Sequence, residues 1–150
     1  MTLVAVVDYG VGNLRSVRRA LEAAGAEVVV TADPAKLSAA SGIVLPGVGA
    51  FAPAVAKLKE RGLAEFLVAQ AGSGKPLLGV CLWYQLLFER SYEDGEHRGL
   101  GLLPGPVRRL PPGRKVPHMG WNRLRQLRPD ILFEGIPDRD YFYFVHSYYP

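Results

Sequence analysis

Strand-like apolar runs alternate with helix-like segments through the first half of the chain. The apolar runs are LVAVVD (3–8), EVVVT (27–31), GIVLPGVG (42–49) and KPLLGV (75–80). Between them lie segments with apolar residues at helical spacing, such as 14–24 and 51–69, the second interrupted near Gly62. Continuously apolar strands that alternate with helices are typical of a parallel sheet whose two faces are covered. The sequence therefore predicts an α/β fold with a mostly parallel central sheet and helices on both faces.

The size and composition of the chain fit one ordinary globular domain. It has 150 residues, of which 49% are apolar and 21% charged. A chain of this length can bury roughly 70% of the surface that its unfolded form exposes. We find no internal repeat and no linker, and we predict a single domain over 1–150. Because the chain stops at Pro150, directly after the strand-like run YFYFVHSYY (141–149), we expect that its C-terminal part is missing.

Several functional classes are disfavoured by composition. No apolar run is long enough to span a membrane, and the first residues lack the pattern of a signal peptide. A single cysteine cannot form an internal disulfide, which favours the cytoplasm. Three histidines and one cysteine show no zinc-ligand spacing. We therefore expect a cytoplasmic protein without a metal or another cofactor.

A basic stretch lies between Val107 and Pro129, where seven basic residues occur and no acidic one. Clustered Arg and Lys can bind phosphates of nucleic acid, dock an acidic protein partner, or simply form a solvated face. The stretch carries no nucleic-acid-binding motif, so we expect no nucleic-acid partner and leave the other two interpretations open.

Three loops of the predicted fold lie at the carboxyl ends of strands, where parallel sheets bind ligands. They are Asp8–Asn13, Pro46–Gly49 and the loop at Cys81, the only cysteine. Two glycines in PGVG allow backbone N–H groups to form an oxyanion hole, although a flexible turn is the alternative. Considered without its neighbours, Cys81 is either a packed core residue or a nucleophile. Its position between a strand and a helix favours the thiolate, and Gly79 suits a sharp nucleophile turn.

Six stretches in a fixed order carry a resemblance to a known family. They are DYGVGNLRSV, LPGVGAF, GVCLxxQLLFERSYE, GLGLLPG, PHMGWN and YFYFVHSYY. Together they resemble the class I glutamine amidotransferases of flavodoxin-like architecture, and among them the glutaminase subunit of imidazole glycerol phosphate synthase. The resemblance implies hydrolysis of glutamine to glutamate and ammonia. It also implies a (β/α)₈-barrel cyclase partner, which uses the ammonia to make imidazole glycerol phosphate in histidine biosynthesis.

The resemblance assigns roles to individual residues. Cys81 is the expected nucleophile that forms a thioester with glutamine, and three residues supply backbone donors to the oxyanion: Val48, Gly49 and Leu82. Four residues are expected at the α-amino and α-carboxylate ends of the substrate: Gln85, Glu93, Ser147 and Tyr148. Three residues are expected to face the cyclase partner, and part of the basic stretch with them: Asn13, Trp121 and Asn122.

The chain departs from the family pattern in two places. The family completes its catalytic triad with a His-x-Glu pair, and none of the three histidines here has an acid two residues later. We therefore expect the chain as given to be nearly inert in hydrolysis, since a positioned base contributes roughly 10²–10⁴ in rate.

The second departure is Trp83-Tyr84, where the family usually has glycine and a residue such as methionine. A tryptophan two residues after the nucleophile is expected to swing into the cleft or to distort the turn. This departure favours one alternative to the glutaminase, a non-catalytic binding subunit with a blocked nucleophile turn. A separate alternative is an amidotransferase subunit of another pathway, such as anthranilate or pyridoxal phosphate synthesis.

Overall fold

A computed structural model describes residues 1–150 of the chain. Its contacts divide it into two compact units, Met1–Arg108 together with Pro150, and Arg109–Tyr149. We describe each unit by itself, and the single domain expected from the sequence stays a prediction.

A four-stranded parallel sheet forms the centre of the first unit. Its strands are β1 (Leu3–Val7), β2 (Glu27–Thr31), β3 (Gly42–Gly47) and β4 (Leu77–Cys81). They lie in the order β2-β1-β3-β4, and every neighbouring pair is parallel. This is the strand order of a flavodoxin-like sheet, in which ligands bind where the order reverses, between the first and third strands. The predicted α/β class and the four predicted strands are confirmed.

Five helices accompany this sheet: α1 (Leu14–Ala23), α2 (Pro34–Ala39), α3 (Phe51–Glu60), α4 (Leu63–Gly72) and α5 (Leu82–Leu86). Asp33 caps α2 as the sequence indicates, because its Oδ1 accepts a hydrogen bond of 2.9 Å from Ala35 N. Gly62 separates α3 from α4 in a left-handed conformation with φ 65°, which glycine adopts at little cost. The interruption read from the sequence is therefore a true helix boundary.

The main core lies on one face of the sheet. Alternate residues of β1 and β3, such as Val7 and Leu45, pack there with buried residues of α2 to α5. On the other face Val6 and Val44 are buried, and α1 contacts β1 and β2. The two-sided burial explains why these strands read as continuous apolar runs.

The segment after Cys81 differs from its prediction. The run LWYQLLFER suggests a helix through residue 90, but α5 ends at Leu86 and a strand, β5 (Phe88–Ser91), follows. The reason is tertiary: the carbonyls of Leu86 and Leu87 accept backbone hydrogen bonds of 2.8 Å from Leu100 and Leu102. These long-range bonds replace the i to i+4 bonds that a longer helix would need.

A second sheet in this unit contains β5 with β6 (His97–Arg98) and β7 (Leu103–Arg109). β5 pairs antiparallel with β6 and parallel with β7, with an irregular register between Phe88 and Arg90. Ser91, at the end of β5, is fully buried. This sheet fixes the position of the loop that follows Ser91.

A two-stranded antiparallel ribbon dominates the second unit. It pairs β8 (His118–Arg123) with β9 (Tyr141–His146) over six residues, from His118 opposite His146 to Arg123 opposite Tyr141. A 3₁₀ turn at Ile131–Phe133 lies in the connection, and the short strand β10 (Tyr148–Tyr149) follows. No helix anywhere in the structure has both the length and the apolar character needed to cross a membrane.

Candidate active site

The ends of two neighbouring strands bring the predicted nucleophile beside the predicted oxyanion loop. In the parallel pairing of β3 with β4, Gly47 lies opposite Cys81, so the two strands end side by side. Val48 and Gly49 continue directly from Gly47, and Leu82 continues from Cys81. The structure therefore brings Cys81, Val48, Gly49 and Leu82 together at one edge of the sheet.

Cys81 occupies a strained turn at that edge. Its side chain is exposed, and its backbone has φ 57° and ψ −117°, a conformation that costs a non-glycine residue about 1–3 kcal/mol. The turn is tight, because a Cβ on Gly79 would lie 2.8 Å from backbone atoms of Trp83 and Tyr84. Only glycine fits there, as the sequence pattern indicated. Strain of this kind is found where a nucleophile is presented on a sharp turn.

Two segments beside Cys81 carry candidate backbone donors. Leu82 is the first residue of α5, where backbone N–H groups have no acceptor within the helix. On the neighbouring loop Val48 is exposed, and Gly49 has φ 105°, a value that suits glycine and few other residues. The loop thus has the conformational freedom to direct N–H groups outward, which is the chemical requirement of an oxyanion hole.

Two predicted substrate residues belong to the same unit as Cys81. Gln85 is half-buried one turn of α5 after the cysteine. Glu93 is also half-buried, and its Oε2 accepts a hydrogen bond of 2.8 Å from the backbone N–H of Phe51. The carboxylate therefore has a protein partner at the start of α3.

The remaining predicted substrate residues, Ser147 and Tyr148, belong to the second unit. The carbonyl of Ser147 accepts a hydrogen bond of 2.9 Å from Leu110 N, and Tyr148 begins β10. His146, which precedes them, holds the Tyr148 carbonyl at 2.9 Å through Nδ1.

Histidine 146 has no free ring nitrogen. Since a carbonyl only accepts, His146 Nδ1 carries a proton, and the other ring nitrogen, Nε2, lies 3.1 Å from His118 Nδ1. His118 Nε2 in turn lies 3.4 Å from Asn122 Nδ2. No sequence pattern indicated this chain of bonds, which depends on the register of β8 against β9. A ring with both nitrogens bonded is poorly suited to act as a general base.

The three residues predicted to face a partner belong to both units, Asn13 to the first and Trp121 and Asn122 to the second. Asn13 is exposed and caps α1, with Oδ1 accepting from Ser16 N at 3.3 Å. Trp121 is 70% exposed. Asn122 follows it on β8, and successive residues of a strand point to opposite faces, so the two side chains do not share one face of the ribbon.

The expectation for Trp83 is wrong. Its indole does not enter the cleft, because Trp83 is 0% exposed and packs edge-to-face on Tyr9, with ring centroids 5.2 Å apart. Both rings also pack against Gly47, where an added Cβ would collide with them. The turn at Cys81 accommodates the tryptophan by placing it under β3 in the main core.

Tyr9 is a residue that the sequence reasoning did not single out. It is fully buried, and burial raises the pKa of its phenol, an effect that the nearby indole of Trp83 partly opposes. The geometry between the two groups still falls short of a hydrogen bond, so Tyr9 Oη and Trp83 Nε1 both lack a partner. The sequence signal for Tyr9 was its position in the DYGVGN stretch, which follows β1.

Comparison with known proteins agrees with this fold. A solved glutamine amidotransferase superposes with a TM-score of 0.70 at 21% identity, over 94% of this chain and 70% of its own. A second, from Thermotoga maritima, gives 0.64 at 19% identity, over 99% of this chain and 61% of its own. At these identities the likeness concerns the fold alone, which is that of the glutamine amidotransferases. Residues 5–149 also match the family described as "Glutamine amidotransferase class-I".

Curated relatives show to which group within this family the chain belongs. "Imidazole glycerol phosphate synthase subunit HisH" of Desulfitobacterium hafniense is 59% identical over 98% of this chain and 70% of its own length. The proteins of the same name from Moorella thermoacetica and Methanothermobacter thermautotrophicus are 56% and 53% identical, over 71% and 73% of their lengths. The chain therefore belongs to the class I glutamine amidotransferase family and, within it, to the HisH subunits of imidazole glycerol phosphate synthase.

Proposed function

We propose that the chain is the glutaminase subunit of an imidazole glycerol phosphate synthase of histidine biosynthesis, with Cys81 as its nucleophile. The observation that carries the proposal is the pairing of Gly47 with Cys81, which puts an exposed thiol on a strained turn beside a glycine loop. Relatives that are more than half identical to this chain carry the name of that synthase subunit. An amidotransferase of another pathway has no observation in its favour.

The proposed chemistry uses a thioester. The Cys81 thiolate attacks the side-chain amide carbon of glutamine, and the electron pair of the carbonyl moves onto oxygen, where backbone N–H groups of Val48, Gly49 and Leu82 stabilise it. Collapse of this intermediate breaks the C–N bond, and the nitrogen leaves as ammonia after taking up a proton. Water then hydrolyses the thioester to glutamate and restores the thiol. Gln85, Glu93, Ser147 and Tyr148 are proposed contacts of the substrate.

The alternative of a non-catalytic subunit loses its support in the structure. It rested on a tryptophan that obstructs the cleft, and Trp83 is buried. The sequence has no His-x-Glu pattern to supply a general base. A general base accelerates acylation and hydrolysis, but the exposure of the Cys81 thiol does not depend on it.

An affinity label tests the nucleophile without requiring turnover. A chloroketone analogue of glutamine should alkylate Cys81 alone, faster than it alkylates free cysteine, and an excess of glutamine should protect the thiol. Iodoacetamide is the matched reagent, since it reacts with an exposed thiol without needing the substrate site, and Cys81→Ala is the unlabelled control. Equal labelling by both reagents with no protection by glutamine would refute the proposal.

We further propose that the partner is a (β/α)₈-barrel cyclase subunit, in a cytoplasmic heterodimer, and that one face of the ribbon docks it. Register pairs put Met119 beside Val145 and Trp121 beside Tyr143 on one face of the ribbon, and all four are exposed. An exposed patch of aromatic and apolar side chains is typical of a protein interface. Trp121 is the proposed anchor, and Asn13 and Asn122 are further proposed contacts of the partner.

The docking proposal predicts that Trp121 and Asn122 contribute very differently to the affinity for the cyclase subunit. Truncation of a buried interface tryptophan typically costs about 2 kcal/mol or more, which is roughly 30-fold in affinity. Trp121→Ala should therefore weaken binding of the cyclase subunit by that factor in calorimetry, whereas Asn122→Ala should change it by less than about 3-fold. If Asn122→Ala weakened binding as much as Trp121→Ala, the assignment of the docking face would be wrong.

A further inference from the structure

Two of the three histidines of the chain meet across the β8–β9 ribbon. His118 and His146 are 28 positions apart in the sequence, but the register of the strands puts them directly opposite each other. Their side chains therefore lie on the same face of the ribbon, which is not the face that carries Trp121. Sequence spacing could not show this pair, because only the pairing of the strands brings the two rings together.

The separation of the two rings suits a shared metal ion. His118 Nδ1 and His146 Nε2 are 3.1 Å apart. A zinc ion about 2.05 Å from each nitrogen, the usual distance between zinc and imidazole, would make an N–Zn–N angle of about 98°. This angle lies between the roughly 90° of a square-planar site and the roughly 109° of a tetrahedral one. The two nitrogens can thus bind one ion without a change in their separation.

His146 already has the outer contact that metal-binding histidines need. Its Nδ1 donates a hydrogen bond of 2.9 Å to the carbonyl of Tyr148, which fixes the orientation of the ring. Histidines that ligate a metal almost always donate their second ring nitrogen to a carbonyl, a carboxylate or water in this way. The neutral ring therefore directs the lone pair of Nε2 toward His118.

The ring of His118 is held by aromatic packing. It stacks on Phe144 with centroids 5.3 Å apart and meets His146 edge-to-face. When both rings are neutral, the proton between them belongs to His118 Nδ1, because His146 carries its proton on Nδ1. Binding of an ion moves the proton of His118 to Nε2 and tilts the rings until both lone pairs point at the ion. Each ring stays neutral, so no proton is released.

Water can complete the coordination of such an ion. His118 lines a cavity of about 320 Å³ together with Lys115, Pro117 and Met119, and no third histidine, cysteine, aspartate or glutamate joins the pair. Lys115, the charged residue of this cavity, is exposed, so solvent and salt screen its repulsion of a cation. Because only two ligands come from the protein, the ion would exchange more readily than in a closed four-ligand site.

We propose that His118 and His146 form a binding site for a divalent transition-metal ion such as Zn²⁺, and that the ion joins β8 to β9. Imidazole nitrogen suits zinc, copper and nickel, whereas Mg²⁺ and Ca²⁺ prefer oxygen ligands. A slip of one residue would turn one of the two rings to the other face of the ribbon, so a bound ion favours the observed register. This site does not depend on the activity proposed for Cys81.

Calorimetric titration with zinc chloride tests the site in the Cys81→Ala chain, which lacks the thiol as a competing ligand. We expect one Zn²⁺ per chain and no binding of Mg²⁺. His118→Ala and His146→Ala should each weaken Zn²⁺ binding by at least 10-fold, since loss of even an outer contact typically costs 10–100-fold. Zinc binding that neither substitution weakens overturns the proposal.

His97 is the matched control, because it is the third histidine and belongs to the first unit. Its Nε2 lies 3.2 Å from the carbonyl of Asp94, away from the ribbon pair. His97→Ala should change the affinity for Zn²⁺ by less than about 3-fold, since distant sites act independently. If His97→Ala weakened binding as much as His118→Ala, zinc would be held by histidines in general and the proposal would be wrong.

Nuclear magnetic resonance of the histidine ring nitrogens supplies a second readout that needs no ring substitution. In the Cys81→Ala chain, Zn²⁺ should shift the resonances of His118 Nδ1 and His146 Nε2, and His146 Nδ1 should keep its proton. Both ring nitrogens of His97 should stay unshifted. If a variant of the pair does not fold, these resonances decide, because unshifted His118 and His146 rings at saturating Zn²⁺ overturn the proposal.

Discussion

Trp83 offers the sharpest test of how the site is built, because sequence and structure assign its side chain to different places. We consider the substitution Trp83→Ala. In the cleft, the indole would obstruct the thiol, so its removal should free Cys81 and leave stability nearly unchanged. In the core, where the structure puts it, removal should destabilise the fold and leave labelling of Cys81 in the folded protein essentially as it was.

The size of the effect follows from the contacts of the indole. Truncation of a fully buried tryptophan to alanine costs about 3–5 kcal/mol, and loss of the edge-to-face pair with Tyr9 adds about 1 kcal/mol. The indole N–H has no partner in its buried position, so its removal returns about 1 kcal/mol. The two corrections nearly cancel, and we expect a loss of about 3–5 kcal/mol in the free energy of unfolding.

Urea unfolding followed by far-ultraviolet circular dichroism measures this loss. Fluorescence is less suitable, because the chain has two tryptophans and the substitution removes one of them. Trp121→Ala is the matched control: the same change at a residue that is 70% exposed should alter the free energy by less than about 0.5 kcal/mol. Faster labelling of Cys81 in a Trp83→Ala protein of undiminished stability would refute the core assignment.

Two further predictions concern the strained cysteine and the buried tyrosine. Cys81→Gly should be more stable than Cys81→Ala by about 1 kcal/mol in urea unfolding, because the φ of 57° strains alanine but not glycine; a less stable glycine variant would contradict the strained turn. Burial raises the pKa of Tyr9 above its ordinary value of 10.0, so the unfolded state loses its proton first and stability should fall as the pH rises above about 10. Tyr9→Phe should show a smaller fall between pH 9 and 11 and gain about 1 kcal/mol at neutral pH, since the buried hydroxyl has no partner; an identical pH dependence would contradict the assignment.

The elements that the sequence predicted well are those whose pattern is local. The four parallel strands were visible because β1 and β3 are buried on both faces and therefore lack polar alternation. The boundary at Gly62 was visible because it depends on one residue with a left-handed backbone. The grouping of Cys81 with Val48 and Gly49 followed from the rule that parallel strands end at a common edge.

The elements that the sequence did not predict depend on contacts between distant segments. α5 stops at Leu86 because residues 100–103 supply hydrogen bonds to the next carbonyls. The place of Trp83 depends on a space under β3 that Gly47 leaves open. The bond from Phe51 to Glu93 crosses 42 positions, and its only local signal was an alanine at an N-cap position, where an acceptor is normally found.

The alternation of side chains along the β8–β9 ribbon makes the proposed docking face depend on the register of the two strands. Trp121 and Tyr143 face one way because β8 and β9 pair as they do, and the His118–His146 contact on the opposite face belongs to the same register. A slip of one residue in either strand would exchange its two faces, turning aromatic side chains inward and a histidine outward. An insertion or deletion in the segment 124–140 that shifts this register would therefore abolish the proposed docking without altering any residue of the proposed docking face.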